Sequence, residues 1–284
     1  TNVIYIAFDG VAPVAKLEQQ RNRRHKSSFE ESLMQSYGNP PKMDTTQITP
    51  GTEFMKNLSN KIISYFQDPS KFGVKELIIS TSNENGEGEH KLYKHIRDNP
   101  STYKDFYTVI YGLDADLIML TINHLRYSKD MYLFRETPEF IKHLDSSLSP
   151  NELYVLDINN LSKNLLLDLN HGKIIKKEFQ KNKINDYIFI CFMLGNDFIP
   201  HIPSINIRTN GMTHLLDAYK ISVSNDNKTI INNNTISWSV FRNFIKHLSD
   251  NELDYYYLEY KTREKQSKRY FPSKTVEEKL QKFL

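Results

Sequence analysis

Apolar runs alternate with polar, helix-compatible stretches along this chain. Val3 to Phe8 is apolar throughout and predicts a strand buried on both faces. Ala15 to about Met34 is rich in Lys, Gln, Arg and Glu without Gly or Pro, and predicts a long polar helix. Ser36 to Gln47, with Gly38, Pro40 and Pro41, reads as a loop. Thr49-Pro50 reads as a helix start, Thr at the N-cap and Pro first in the helix, which runs to about Gln67 with Phe54, Leu58 and Ile62 at helical spacing. Glu76 to Thr81 predicts a second buried strand, followed by a polar loop and a helix over about Gly88 to Arg97. Phe106 to Tyr111 is a third strand, and Met131 to Arg135 and Leu153 to Asp157 are shorter ones. Ile184 to Leu194, Gly211 to Ile221 and Trp238 to Leu248 read as helices. Asn225 to Asn234 is a polar loop, and the tail from Asp254 is charged and tyrosine-rich.

Strands alternating with helices predict an α/β fold with a mostly parallel, twisted central sheet flanked by helices. In such sheets ligands sit beyond the carboxyl ends of the strands. Acidic residues fall at the ends of apolar runs here: Asp9 after the first strand, Asp114 and Asp116 after the third, and Asp197 after the run Ile184 to Leu194. A fourth cluster, Glu87 and Glu89, follows the second strand, with glycines on either side of Glu87. In an extended segment alternate residues share a face, so Asp114 and Asp116 are expected to point the same way, and Glu87 and Glu89 repeat that spacing. Six carboxylates at one edge would repel one another and resist ionisation. Divalent cations relieve that repulsion. Hard oxygen donors suit Mg²⁺ or Mn²⁺, and two such ions about 4 Å apart are a common apparatus for phosphodiester cleavage. The bland alternative is that acids follow strands because loops are polar. His90, beside Glu89, reads as a helix-surface or packing residue.

A basic stripe lies after Asp9. Lys16, Gln20, Arg23 and Arg24 share one helical face. Two guanidinium groups, an ammonium and a neutral amide on one stripe suit a terminal phosphate. The alternative is a solvated helix face.

Composition narrows the rest. The 284 residues, 17 of them Tyr and 16 Phe, suffice for a sizeable core, and a net charge of +3 does not by itself mark a nucleic-acid binder. The single cysteine, Cys191, excludes an internal disulfide, fits an intracellular, reducing compartment without deciding between nucleus and cytoplasm, and reads as a small core residue. No stretch approaches the roughly 20 apolar residues of a membrane span, and no signal peptide is expected. There is no zinc-type Cys/His spacing, nucleophile elbow or Gly-Lys-Ser/Thr phosphate loop. The abundant Tyr and Phe, and Trp238, are assigned to packing.

Taken together, several ordered segments resemble the Xrn/Rat family of 5′-to-3′ exoribonucleases. They are Asp9-Gly-Val-Ala-Pro13; Lys16 with Gln19-Gln20-Arg21 and Arg23-Arg24; Ile48-Thr-Pro-Gly-Thr-Glu-Phe-Met55; Gly86-Glu-Gly-Glu-His-Lys91; Tyr111-Gly-Leu-Asp-Ala-Asp-Leu-Ile-Met-Leu120; and Leu194-Gly-Asn-Asp-Phe-Ile-Pro-His201. The resemblance implies the flap-endonuclease (PIN-like) nuclease core with two Mg²⁺ ions. It implies that Asp9, Glu87, Glu89, Asp114, Asp116 and Asp197 are the catalytic, metal-binding acids. It also implies that Lys16, Gln20, Arg23 and Arg24 hold the 5′-monophosphate of single-stranded RNA. A further metal-binding Asp, on a strand upstream of Thr1, is implied as well, so the chain is expected to be an internal portion lacking its first sheet strand. Residues 1–250 are expected to form the nuclease core, and residues 251–284 to begin a following helical or linker region. Val14 stands where a basic residue is common in the family, and the loop from Ser27 to Gln47 is short for it. A structure-specific flap DNA nuclease of the same fold and a non-catalytic RNA-binding fragment are the alternatives. Against the first, no helical arch or helix-hairpin-helix is evident.

Overall fold

A computed structural model describes residues 1–36, 43–112, 114–136, 145–149, 152–223, 228–268, 275 and 278. They fall into two compact units, residues 1–95 with the described residues from 265 onward, and residues 96–264. Each is treated by itself.

The first unit is built on a parallel pair of strands. Strand β1 (Val3–Ala7) runs into helix α1 (Val14–Ser36), a short 3-10 turn (Thr45–Gln47), helix α2 (Glu53–Tyr65) and then strand β2 (Glu76–Ser80). β1 and β2 pair in parallel, Val3 opposite Glu76 and Ala7 opposite Ser80, so both strands end at the same edge. Helix α3 (Gly88–Asp98) starts there. α1 is as long and polar as its composition predicts and buries no residue fully. α2 starts later than the Thr49-Pro50 signal suggests. Gly51 has φ +91°, which no helix accommodates. The cap is therefore Thr52, whose hydroxyl accepts the Met55 amide at 3.3 Å and donates to the Gln47 carbonyl at 2.6 Å.

The second unit holds helix α4 (Pro100–Tyr103), strand β3 (Tyr107–Tyr111), helix α5 (Asp116–His124), strand β4 (Asp130–Glu136), strand β5 (Leu153–Asp157), helix α6 (Ile158–Leu169), helix α7 (Lys177–Cys191), helix α8 (Gly211–Ser222), the short strands β6 (Ile231–Asn232) and β7 (Thr235–Ile236), helix α9 (Trp238–Ser249) and helix α10 (Glu252–Ser267). β3 and β4 are parallel, joined through α5, and β5 adds antiparallel to β4. The class is mixed α/β, with one parallel pair in each unit. Helices α4, α5 and α6 went unpredicted, α4 being a single turn. α5 is apolar and short, which hides its period. α6 follows a strand without a break, because Asp157 both ends β5 and caps the helix, accepting the Asn160 amide at 2.9 Å. The Asn-rich segment, predicted as a loop, ends in strand β6 and the turn of the β6–β7 hairpin, with Asn233 and Asn234 at positive φ, a conformation Asn tolerates better than most residues. Its residues 225–227, the residues 37–42 of the predicted Ser36–Gln47 loop, and most of the tail beyond 268 lie outside the described residues.

The core of the second unit joins α7, α8 and α9 through Ile190, Leu215, Tyr219, Phe244 and Leu248. Cys191 is buried as predicted, with its sulfur 3.8 Å from that of Met212, and burial pushes its thiol up to about 12. Trp238 meets Phe241 edge-on but remains 65% exposed, so it contributes less packing than expected. The charged tail is helical because one face docks: Glu259 is buried and accepts from Asn206, Thr209 and Arg263 at 3.1, 3.0 and 2.7 Å.

A buried carboxylate organises this core. Asp186, 0% exposed, accepts the Tyr219 hydroxyl at 2.6 Å and the Ile230 and Ile231 amides at 2.9 and 2.6 Å. Burial pushes its carboxyl up to about 6, against the pull of those donors and of Lys183. An unfolded aspartate releases its proton near 3.8, so between there and about 6 the folded state binds more protons. Stability contributed by Asp186 therefore falls as pH rises through that window, by about 3 kcal/mol in all. Chemical unfolding of wild type and Asp186→Asn at pH 4.5 and 7 checks this. Wild type should lose more stability than the variant on going to pH 7, and equal losses would contradict it.

Candidate metal and phosphate site

In the first unit, parallel pairing delivers Asp9 and the Gly86–Glu89 segment to one edge. The ladder continues past β1, with the Phe8 amide donating to Ser80 O at 2.8 Å. Beyond it, Gly10 N donates to Gly86 O at 2.8 Å and Gly86 N to Val11 O at 3.0 Å, a reciprocal latch between the two loops. The approach is tight enough that a Cβ on Gly10 would stand 1.8 Å from Glu84 O. Asp9 itself is exposed, and its Oδ1 accepts the Gly88 amide at 2.7 Å. That amide opens α3, where the helix dipole favours a negative charge.

Glu87 is only 6% exposed. Its Oε1 meets Lys16 Nζ at 2.5 Å, and its Oε2 is buried with no hydrogen-bond partner. The imidazole Nε2 of His90 stands 3.7 Å from Glu87 Oε2 and 3.8 Å from Glu89 Oε1. One donor atom from each of Glu87, Glu89 and His90 fits within 4.8 Å. This donor set suits a hard divalent cation: two carboxylates, one with an orphaned buried oxygen, with an imidazole alongside. His90, predicted to be a surface or packing residue, is half-exposed yet turned to both acids. Asp9 is not in this three-residue group but is tied to it through Gly88.

The basic stripe follows the predicted helical spacing. Lys16, Gln20 and Arg24 are half-buried and Arg23 is exposed. Arg24 Nη2 donates to Gln20 Oε1 at 3.3 Å, so that this bond does not use the Gln20 amide nitrogen, the donor of that side chain. Lys16 is the link between stripe and acids, through its contact with Glu87.

In the second unit, Asp114 and Asp116 are not alternate residues of an extended segment. Asp116 is the first residue of α5, and Asp114 Oδ1 accepts its amide at 3.2 Å. The Asp-x-Asp spacing makes a turn that opens a helix, because a short polar side chain two residues upstream satisfies a bare amide. Both carboxylates are exposed, and Leu113 lies outside the described residues. Asp197 sits in a tight turn after α7. The side-chain oxygen of Asn196 accepts from the Phe198 and Ile199 amides at 2.8 and 2.9 Å, bracketing Asp197. Gly195, at φ +84°, packs so closely that a Cβ there would meet His201 N at 2.7 Å.

Lys91 received no role from its sequence position, although it lies four residues after Glu87. Its ammonium is buried and donates to Phe8 O and Thr81 O, both at 2.8 Å. Burial lowers its proton affinity, while Glu84 and Asp9 raise it, and burial prevails.

Comparison with known proteins follows the same segments. Residues 1–137 match the family description XRN 5′-3′ exonuclease N-terminus, and residues 177–283 match Xrn1 helical domain. The chain belongs to the Xrn family. It is 30% identical over 94% of its length to 5′-3′ exoribonuclease 2 of Arabidopsis thaliana, covering 32% of that protein. It is 32% identical over 88% of its length to 5′-3′ exoribonuclease 1 of Saccharomyces cerevisiae, covering 18%, and 32% identical over 78% to 5′-3′ exoribonuclease 2 of Schizosaccharomyces pombe, covering 27%. The chain thus spans less than a third of the length of these relatives.

The latch between the two loops makes Gly10 intolerant of any side chain. Gly10→Ala should displace the loop around Glu84 and cost about 1–3 kcal/mol, read as a lowered midpoint of thermal unfolding. An unchanged midpoint would show that the loops are not so held.

Proposed function

We propose that the protein carrying this chain is a 5′-to-3′ exoribonuclease that removes 5′-mononucleotides from 5′-monophosphorylated single-stranded RNA. The observation that carries this reading is the contact of Lys16 with Glu87, which sets the basic stripe beside the acids within one unit. Lys16, Gln20, Arg23 and Arg24 would receive the terminal phosphate and hold the RNA end in place, converting an encounter into a positioned reactant. Asp9, Glu87, Glu89, Asp114, Asp116 and Asp197 would hold Mg²⁺ or Mn²⁺, which when bound makes water a better nucleophile and stabilises the leaving oxygen. Water adds to the second phosphorus, the bond to the first nucleotide's 3′ oxygen breaks, and that oxygen takes up a proton. The shortened RNA is left with a new 5′-monophosphate, the group the basic stripe would select again. A flap-endonuclease-like fold is part of this proposal. So is a nuclease core over residues 1–250, with residues 251–284 leading into the next region.

Two measurements on the full-length protein test it. Asp114→Asn keeps an oxygen for the Asp116 amide, so the turn should survive while RNA hydrolysis falls more than about a hundredfold. Near wild-type turnover would remove Asp114 from the metal site. Arg24→Ala should narrow the preference for 5′-phosphate over 5′-hydroxyl RNA by about tenfold or more, since a bond to a charged group contributes about 1.5–3 kcal/mol. Cleavage of flap DNA in preference to either RNA would replace the reading altogether.

A further inference from the structure

We propose that Lys91 is a positioning residue, whose buried ammonium fixes the place of Asp9 relative to Glu87 and Glu89 by binding the carbonyls at the ends of both parallel strands. This rests on the metal-site reading above and deepens it.

Three observations carry it. Lys91 is 8% exposed, and lysine is almost never buried unless its charge is engaged. Its two acceptors are far apart in sequence but both terminal: Phe8 O immediately precedes Asp9, and Thr81 O immediately follows β2. Lys91 also belongs to the first turns of α3, its own amide donating to Glu87 O at 3.1 Å. The side chain therefore ties the helix that carries Glu89, and that Glu87 immediately precedes, to the peptide that leads into Asp9. A second tie, Gly88 N to Asp9 Oδ1, comes from the first residue of the same helix. With both in place one helix bonds the Asp9 carboxylate through Gly88 and the carbonyl just before Asp9 through Lys91.

An ammonium suits this position where a neutral donor would not. It offers three hydrogens from one atom, enough to serve two carbonyls that point at a common centre. Its positive charge also faces Asp9 and Glu84, the two acids whose attraction it feels. The charge offsets part of the repulsion among the carboxylates without competing for the donor atoms of Glu87, Glu89 and His90.

A merely structural lysine would affect folding alone. The distinguishing readout is metal affinity. Mn²⁺ binding to the full-length protein, followed by electron paramagnetic resonance, should weaken about tenfold or more in Lys91→Met, in line with the effect of residues that support ligands. The Mg²⁺ concentration giving half-maximal RNA hydrolysis should rise in parallel, while discrimination between 5′-phosphate and 5′-hydroxyl RNA stays as in wild type. A lowered thermal midpoint with Mn²⁺ affinity within twofold of wild type would overturn the proposal. Should Lys91→Met fail to fold, Lys91→Gln, a shorter side chain that keeps neutral N–H donors but not the charge, is judged on the same Mn²⁺ criterion. A wild-type protein that binds Mn²⁺ but leaves RNA intact would remove the RNA reading, and the affinity comparison would still decide the role of Lys91. Absence of Mn²⁺ binding by wild type would overturn both.

Discussion

Parallel pairing of β1 with β2 is the constraint on which the first unit depends. Two strands in parallel must end at the same edge, whatever lies between them in sequence. Here 67 residues lie between Phe8 and Glu76, yet Asp9 and the Gly86–Glu89 segment arrive side by side. The register is not free, because shifting it by one residue would turn every side chain to the opposite face. Once it is set, the loops beyond the strands are brought within reach of each other, and small residues decide how closely they meet. Gly10 donates to the Gly86 carbonyl and Gly86 to the Val11 carbonyl, and the approach to Glu84 leaves no room for a side chain on Gly10.

That closeness creates an electrostatic problem, and positive charge from several sources answers it. The Asp9 carboxylate is set on the first amide of α3, where the helix carries partial positive charge. The Glu87 carboxylate is set on Lys16, drawn in from α1. Lys91 supplies a third positive centre, beneath the strand ends. One oxygen of Glu87 is left buried and without a hydrogen bond, a costly arrangement in a folded protein. A structural ion pair alone would favour satisfying both oxygens. An orphan oxygen facing a second acid and an imidazole is better accounted for by a site shaped for a cation.

Much of this was legible in the sequence, for identifiable reasons. Continuous apolar runs made β1, β2 and β3 stand out, although none is buried on both faces as predicted: β1 is half-buried along its length, and β3 exposes Tyr107, Val109 and Tyr111. The stripe from Lys16 to Arg24 follows helical spacing on a helix without breakers. What failed to show had a physical cause each time. Thr49-Pro50 has the composition of a helix start, but Gly51 at positive φ delays the helix to Glu53. Asp114 and Asp116 have strand spacing, but an Asp two residues before a bare amide prefers to cap it, so the helix begins between them and their common face is lost. Lys91 was invisible as a functional candidate because its role depends on two carbonyls, and backbone acceptors leave no mark in sequence. The same holds for Asp186, whose partners are a tyrosine and two amides more than thirty residues away.

The three acidic turns share a device that explains why the motifs are longer than their acids. Asp9 is steadied by the amide of Gly88, Asp114 by bonding the amide of Asp116, and Asp197 by an asparagine that gathers the two amides following it. In each case backbone amides fix the turn, and in the first and last a glycine permits the close approach. A carboxylate placed by packing would have to be enclosed, and enclosure would raise its proton affinity and shut out a cation. Placement by turn chemistry avoids this: it orients the acid while leaving it open to solvent or half-buried. Glycines and asparagine beside the acids therefore help to set how each acid is presented, although none of them supplies a charge.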